Sequence, residues 1–84
     1  MPELNAQFEQ ALADSKRLPE RPDNTTLLTL YALYKQIKHG DAQGGRPEFF
    51  EMVARAKWDA WNAIKGKDSR AAMRDYIDLI ASLK

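Results

Sequence analysis

Prolines and glycines divide this 84-residue chain into four segments, in each of which apolar residues recur at the spacing of an α-helix. The first predicted helix runs from about residue 3 to residue 17. It ends before the segment 18–22, where two prolines remove amide donors and push the preceding residues out of helical geometry. The second predicted helix starts near Asn24, which Asp23 or Asn24 itself can cap, and runs to about His39.

A glycine-rich segment follows, and we expect it to form a loop over residues 40–47. The third predicted helix begins at about Pro47 or Glu48, because proline is acceptable in a first helical turn, and ends at Ile64 or Lys65. The spacing of its apolar residues predicts a side that faces the core, marked by Met52, Val53, Ala56, Ala60 and Ile64.

A fourth helix follows Gly66 and is predicted to be capped by Asp68. Its buried stripe is expected to consist of Ala72, Met73, Tyr76, Ile77, Ile80 and Leu83. The chain shows no strand-like alternation and no internal repeat of a convincing period. Because the links between helices are short except at 40–47, we predict an all-α bundle in which residues 1–84 form one domain.

The composition excludes several classes of protein. The chain contains no cysteine, so neither a disulfide nor a thiolate metal site can stabilise it. Its net charge of +1 is too small to indicate a nucleic-acid-binding protein. No apolar run approaches the ~20 residues that cross a bilayer, and the N-terminus shows no secretory signal. We therefore expect a cytoplasmic, monomeric domain without stable membrane insertion.

Groups that could perform catalysis are few. His39 is the only histidine, and the serines have no histidine at helical spacing to act as a base. Asp75 and Asp78 lie close together on the fourth predicted helix, but such a pair is usually part of a solvated face. His39 and Asp41 offer too few ligands for a metal ion. The sequence therefore favours a binding protein over an enzyme, and we expect no cofactor.

Two clusters of aromatic and basic residues indicate a binding site. Tyr31, Tyr34 and Lys35 share one face of the second helix, although taken alone both tyrosines could be core aromatics beside a surface lysine. Lys57 adjoins Trp58 on the third helix. Tyrosine rings stack on bases, lysines bind phosphate, and a bundle can shelter an alkyl chain. Coenzyme A esters combine all three parts, but mononucleotides and single-stranded RNA also combine a ring with phosphate.

Several longer motifs occur in a characteristic order. They are YALYKQ at 31–36, Gly40-Asp41, Arg46-Pro47, AKWDAWN at 56–62, Lys65-Gly66, and Ala72-Met73 followed by Tyr76-Ile77. With these motifs the chain resembles the acyl-CoA-binding protein family, also called the diazepam-binding inhibitor family, over essentially its whole length. The resemblance implies an up-down-down-up four-helix bundle that holds one long-chain acyl-CoA.

The resemblance also implies roles for individual residues. Tyr34 would stack on the adenine. Lys35 and Lys57 would pair with the ribose 3′-phosphate, which Tyr31 would approach, and Tyr76 would lie at the nucleotide end. The implied acyl-CoA-binding residues are Lys16, Tyr31, Ala32, Leu33, Tyr34, Lys35, Lys57 and Tyr76, and those near the acyl chain are Phe8, Leu12, Leu27 and Leu28. Trp58 would border the ligand, and Trp61 would be structural.

The chain departs from the family pattern at a few positions. Leu12 is bulkier than the small residue common there, which would narrow or redirect the acyl-chain groove. Val53 stands where many members carry a basic residue, so we expect one phosphate contact to be missing unless Arg46 or Arg55 replaces it. The loop segment 43–45 also differs from the usual pattern. These departures leave the preferred chain length open.

The leading hypothesis is non-catalytic binding and intracellular transport or pooling of medium- to long-chain fatty acyl-CoA esters. Acyl-CoA-using enzymes would be the partners, and nucleic acid would not. One alternative is a helical protein-interaction module on the same fold, which Leu12 and Val53 would support. Another is a domain cut from a larger acyl-CoA-handling enzyme.

Overall fold

The computed structural model describes residues 3–84 and contains four α-helices: α1 (Leu4–Ser15), α2 (Asn24–His39), α3 (Met52–Ala63) and α4 (Ser69–Leu83). No strand occurs within these residues, and the predicted all-α class is confirmed. The first two residues of the predicted domain lie outside the described range. α1 and α3 end one or two residues before their predicted ends, where hydrogen bonds to the third residue back tighten the chain.

Side-chain caps fix where α2 and α4 begin. Asp23 accepts a hydrogen bond from the backbone N–H of Thr26 at 2.8 Å, and Asp68 accepts one from that of Ala71 at 3.2 Å. Each carboxylate satisfies an amide that has no partner in the first turn of a helix. α2 ends at His39 and is followed by Gly40, whose φ of 77° is open to glycine without a steric cost.

The core lies between α1, α2 and α4. α4 packs against both α1 and α2, while α2 also packs against α3. Phe8 meets Tyr76 edge to face, with ring centroids 5.3 Å apart and ring planes at 78°. The buried cluster around this pair consists of Phe8, Ala11, Leu30, Leu33, Ala72, Tyr76 and Ile80. The predicted stripe of α4 is confirmed, because its remaining members, Met73, Ile77 and Leu83, pack against this cluster.

Contacts between helix ends establish the helix directions. The indole Nε1 of Trp61 donates to the carbonyl of Gly40 at 2.7 Å, so the ends of α2 and α3 lie together and the two helices run the same way. The ammonium of Lys84 lies 2.7 Å from the carboxylate of Asp14, which joins the ends of α1 and α4. A short link reverses the chain between α3 and α4. The up-down-down-up topology is therefore confirmed.

The loop after α2 is longer than predicted, because α3 begins at Met52 rather than at Pro47 or Glu48. Residues 48–51 close a separate turn. The amide of Glu51 donates to the carbonyl of Glu48 at 2.9 Å, and the amide of Glu48 donates to Oε2 of Glu51 at 3.0 Å. Glu51 then leaves helical geometry, with φ −89° and ψ 64°. The predicted start was wrong because the Glu51 side chain caps this isolated turn.

Met52 and Val53 are exposed, so the prediction that they face the core was wrong. α3 packs against α2, and its buried residue, Trp61, lies near its end. A helix with one close neighbour buries only a narrow stripe. The first turn of α3 therefore lines an open groove instead of the core. The predicted core side of α3 is confirmed only in part, at Ala56, Ala60 and Ile64, which are half-buried.

Candidate ligand-binding site

An open groove runs between the first turns of α2 and α3. Its volume is about 510 Å³. The side chains along it are largely apolar, with two cations and one amide among them: Leu27, Leu28, Tyr31, Met52, Val53, Ala56, Arg21, Asn24 and Lys57. Because α2 and α3 run in the same direction, their first turns are neighbours, and both contribute residues that do not reach the core.

A second groove, also of about 510 Å³, adjoins the first and has a different chemistry. It shares Tyr31, Val53 and Lys57 with the first groove. Its other lining residues add a second lysine and two indoles: Lys35, Pro47, Ala54, Trp58 and Trp61. We call the two together the α2–α3 trough. The trough passes from a half lined mostly by aliphatic side chains into a half that combines two lysines with three aromatic residues.

Two lysines of the trough lie over aromatic rings. Lys57 Nζ lies 5.3 Å from the centroid of the Tyr31 ring, and Lys35 Nζ lies 4.9 Å from the centroid of a Trp61 ring. Contacts of this kind hold an ammonium by its attraction to the ring face and leave its N–H donors available. Trp61 is itself fixed by its hydrogen bond to the Gly40 carbonyl. The rings therefore position both ammonium groups without neutralising them.

No carboxylate within the described residues forms an ion pair with Lys35 or Lys57. The ion pairs present join Arg46 to Asp59, Lys67 to Asp75 and Lys84 to Asp14. Two ammonium groups at one trough, without acidic partners, make a local site for an anion of two or more charges. Phosphate esters have this chemistry.

Tyr34 and Tyr76 form a second group, outside the trough lining. Lys38 Nζ lies 5.9 Å from the centroid of the Tyr34 ring. Burial raises the pKa of the Tyr76 phenol above its ordinary value, and the nearby Tyr34 adds to this rise. A hydrogen bond with the Ser15 side chain acts in the opposite direction. Tyr34 itself is exposed, so its ring is available to a flat ligand group. Lys16, which directly follows Ser15, is also exposed.

The structure separates the residues expected along an acyl chain into two sets. Leu27 and Leu28 line the apolar half of the trough. Phe8 is only 2% exposed and packs in the core against Tyr76, while Leu12 is half-buried against the same core. These two residues are not among those that line the trough, so the Leu12 departure does not narrow it.

Three further residues expected at the ligand are also interior. Leu33 and Tyr76 belong to the core cluster. Ala32 is buried and lines a different groove, which lies between α2, α3 and α4. None of these three side chains lines the trough.

The loop of residues 40–51 is tied to α3 and contributes Pro47 to the lining of the trough. Arg46 donates two hydrogen bonds to Asp59, both at 2.8 Å. This pairing holds the pKa of the Asp59 carboxyl below its ordinary value and raises that of the Arg46 guanidinium. The indole Nε1 of Trp58 donates to the carbonyl of Gln43 at 3.1 Å. Arg46 is therefore engaged with Asp59, and neither Arg46 nor Arg55 is among the residues that line the trough.

Sequence reasoning missed Arg21, Asn24, Met52 and Ala56 as lining residues of the apolar half. A signal for them existed in the implied topology. Where two consecutive helices run in the same direction, their first turns meet at the same end of the bundle. Apolar residues in the first turn of α3 could therefore either face the core or line a groove shared with the first turn of α2.

The described residues contain no arrangement that suggests metal chemistry. Within residues 3–84 no group of three or more histidine and carboxylate side chains is close enough to hold a metal ion. The ring of His39 lies beside Trp61, with centroids 6.3 Å apart. Asp41 accepts hydrogen bonds from Gln36 and from the amide of Gly66, so it connects α2 to the turn between α3 and α4. None of the described helices is long and apolar enough to cross a membrane.

Comparisons with known proteins agree with one another. Residues 5–80 match the family model described as acyl CoA binding protein. Acyl-CoA-binding domain-containing protein 6 of Arabidopsis thaliana is 48% identical over 80 residues, which are 95% of this chain and 87% of that protein. The crystal structure of acyl-CoA-binding protein 2 of Oryza sativa superimposes with a TM-score of 0.90 at 42% identity, covering 96% of this chain and 90% of the other.

A longer relative carries a similar segment. Human enoyl-CoA delta isomerase 2 is 42% identical over 76 residues, which are 90% of this chain but 19% of that protein. The likeness there is confined to a small part of the human enzyme. The family model, by contrast, spans most of this chain, and the Arabidopsis protein is matched over most of its own length. The chain belongs to the acyl-CoA-binding protein family.

Proposed function

We propose that this protein binds a fatty acyl-CoA ester reversibly and leaves it chemically unchanged. The single observation that carries the proposal is the α2–α3 trough. Its apolar half, at Leu27 and Leu28, adjoins a half that contains Lys35 and Lys57. Neither lysine forms an ion pair with a carboxylate of the described residues. A ligand that matches the trough has a long alkyl part at one end and phosphate groups at the other, and this is the chemistry of an acyl-CoA. Membership of the family supports the same ligand.

In the proposed complex, the two lysines bind the phosphates of the coenzyme. Lys35 and Lys57 pair with the 3′-phosphate of the ribose, and Tyr31 lies between the phosphate site and the apolar half. Tyr34 stacks on the adenine through its exposed face, with Lys16 at the same end and the buried Tyr76 next to Tyr34 on its core side. Support for this assignment comes from the cation–ring contacts that already hold the ammonium of Lys57 at the trough.

The acyl chain is proposed to lie along the apolar half of the trough. Leu27 and Leu28 contribute from α2, and Met52 and Val53 from α3. Each methylene that leaves water stabilises the complex by ~0.8 kcal/mol. Affinity should therefore rise with chain length until the trough is filled, which favours medium- to long-chain esters.

The proposed role is that of a carrier. Residues 1–84 would act as one monomeric domain in the cytoplasm, pooling the ester and delivering it to acyl-CoA-using enzymes. We propose neither catalysis nor a resident cofactor, since acyl-CoA itself is the ligand. The bundle would shelter a detergent-like ester from water and from membranes, and release would need no covalent step.

Isothermal titration calorimetry with CoA, octanoyl-CoA and palmitoyl-CoA tests this proposal directly. CoA alone reports on the cationic half, and the two esters report on the apolar half. We expect one site per chain and affinity that increases from CoA to octanoyl-CoA to palmitoyl-CoA. Absence of palmitoyl-CoA binding at micromolar concentration would refute the function. Equal affinity for CoA and palmitoyl-CoA would refute the proposed place of the alkyl chain.

A second candidate is that the same binding unit acts as part of a larger acyl-CoA-handling enzyme. The human isomerase supports it, since a similar segment accounts for 19% of that protein. In that case the unit would hold substrate for a neighbouring catalytic domain. Reading the coding sequence on both sides of these residues distinguishes the two candidates, because only a fused enzyme would have a second domain in the same frame.

A further inference from the structure

The largest exposed apolar side chains of this protein are concentrated in one short segment. Phe49, Phe50, Met52 and Val53 are 74%, 70%, 75% and 69% exposed. Across the described residues, Tyr34 is the other large apolar side chain with high exposure. A chain this small can place such residues singly on its surface at little cost, but a contiguous cluster usually marks an interaction surface. We call these four residues the apolar tip.

The backbone holds the apolar tip in a defined shape. Phe49 and Phe50 occupy the two central positions of the turn that Glu48 and Glu51 close by two hydrogen bonds. The two rings meet edge to face, with centroids 5.8 Å apart and planes at 79°. Neither ring belongs to the core cluster or packs against it. The turn therefore exposes both rings on the surface. Packing of the bundle does not require large apolar side chains at these two positions.

The apolar tip is continuous with the proposed alkyl site. Met52 and Val53 belong to the tip and also line the apolar half of the α2–α3 trough. An apolar surface that merges with the trough would let an alkyl chain move from one apolar environment to the other without crossing water. The surroundings in which such chains are stored are lipid bilayers.

We propose that the apolar tip is a docking site for a phospholipid bilayer, at which the protein takes up or delivers its acyl ligand. The alkyl transfer in this inference rests on the proposed function. Phe49 and Phe50 would enter the interface between headgroups and acyl chains, where aromatic rings are favoured. Met52 and Val53 would then lie at the lipid surface, with the trough opening beside them.

The charges near the tip define the kind of bilayer. Glu48 and Glu51 flank the two phenylalanines, while Arg21 and Lys57 lie in the adjoining half of the trough. Carboxylates next to the inserting rings oppose a strong attraction to anionic headgroups, and the two cations compensate for them. Docking therefore depends on apolar insertion, and neutral phosphatidylcholine should support it nearly as well as a mixture with phosphatidylserine.

The test compares a Phe49→Ser/Phe50→Ser double variant with a Phe49→Leu/Phe50→Leu double variant. Both alter exposed positions, so both should fold, which circular dichroism checks. Flotation with phosphatidylcholine vesicles measures docking. The serine variant should bind vesicles about tenfold or more weakly, since it lacks the two rings that would insert into the bilayer, while the leucine variant should retain most of the binding. The rate at which each protein removes palmitoyl-CoA from vesicles should follow the same order.

Octanoyl-CoA binding in solution separates this proposal from the proposed function. Both variants should bind that ester like the wild type, because Phe49 and Phe50 do not line the trough. Wild-type protein that binds octanoyl-CoA but not vesicles would overturn bilayer docking and leave a protein partner as the occupant of the tip. Equal vesicle binding by the wild type and the serine variant would also overturn it. Failure of the wild type to bind any acyl-CoA would refute the proposed function instead, while vesicle flotation would still test the tip.

Discussion

The ammonium of Lys57 lies 5.3 Å from the centroid of the Tyr31 ring, across the gap between α3 and α2. This contact lies where the apolar and the cationic halves of the trough meet, since both residues line both halves. The ring holds the charge in place, and no described carboxylate neutralises it. Lys57 is therefore the residue at which removing a single charge should affect the phosphate end most directly.

Replacement of Lys57 by alanine should weaken CoA binding by ~1.5–3 kcal/mol, the range for a charged hydrogen bond to phosphate. Lys35→Ala should have a comparable effect. Lys65→Ala is the matched control, because Lys65 is exposed and lies outside the trough lining. Calorimetry with CoA at low and high salt would measure the change. If both trough variants bound CoA as the wild type does, the phosphate roles of these lysines would be wrong.

Phe8 is a structural residue in this protein, and its replacement should show this. Phe8→Ala would empty a core site where the ring is 2% exposed, which should lower the free energy of unfolding by ~3–5 kcal/mol. Urea denaturation followed by circular dichroism would measure the change. Phe8→Leu, which retains most of the volume, should lose less stability and should keep the affinity and chain-length preference of the wild type. An altered chain-length preference in the leucine variant would instead place Phe8 at the ligand.

Asp41 should contribute to acid sensitivity. The Asp41 carboxylate accepts two hydrogen bonds, one from Gln36 Nε2 at 2.8 Å and one from the backbone amide of Gly66 at 2.7 Å. These bonds hold the pKa of Asp41 below its ordinary value of 3.8. Because the folded state binds this proton less readily than the unfolded state, the stabilisation is present above that value and is lost as the pH falls through the lowered pKa.

Asp41→Asn should therefore be less stable than the wild type at neutral pH, and the difference should shrink as the pH falls below the ordinary value of 3.8. Urea denaturation at a series of pH values would measure this. Asp78→Asn is a suitable control, because Asp78 is exposed and takes part in none of the ion pairs of the described residues. Parallel pH curves for the wild type and the Asp41 variant would contradict the assignment.

Local signals in the sequence are sufficient to predict much of the fold. Asp23 and Asp68 are predicted caps and both accept the expected hydrogen bonds. The start of α3 could not be predicted in this way. Proline is acceptable in a first helical turn, which favours a start at Pro47 or Glu48, and only the geometry of Glu51 shows that a separate turn closes before the helix begins.

The candidate site is predictable in chemistry but not in arrangement. Helical spacing places Tyr31, Tyr34 and Lys35 on one face of α2, yet the structure puts Tyr31 and Lys35 in the trough and Tyr34 outside its lining. The neighbouring helices decide which of these residues lines the trough. α3 packs on one side of this face of α2, while Tyr76 and Ser15 lie on the other side, next to Tyr34. Spacing along one helix carries no information about which neighbour each residue meets. Likewise, Met52 is apolar at helical spacing, and only packing shows that it meets a groove and not the core.

Val53 allows the last prediction. It precedes Lys57 by one helical turn and lines both halves of the trough, so a cation there would lie beside the proposed phosphate site. Arg46 pairs with Asp59 and does not line the trough, so the present lining has no cation at this position. Val53→Lys should therefore tighten the binding of CoA by ~1 kcal/mol at low salt, and the gain should diminish as salt screens the added charge.

The matched control is Val53→Met, which retains an apolar side chain and should bind CoA like the wild type. Free CoA is the ligand to use, because the lysine also reduces the apolar surface of the trough and would weaken the hold on a long acyl chain. With palmitoyl-CoA the two effects oppose each other, so the advantage of the lysine variant should be smaller than with CoA. A lysine variant that binds CoA no more tightly than the methionine variant at low salt would show that the phosphates lie elsewhere than beside Val53 and Lys57.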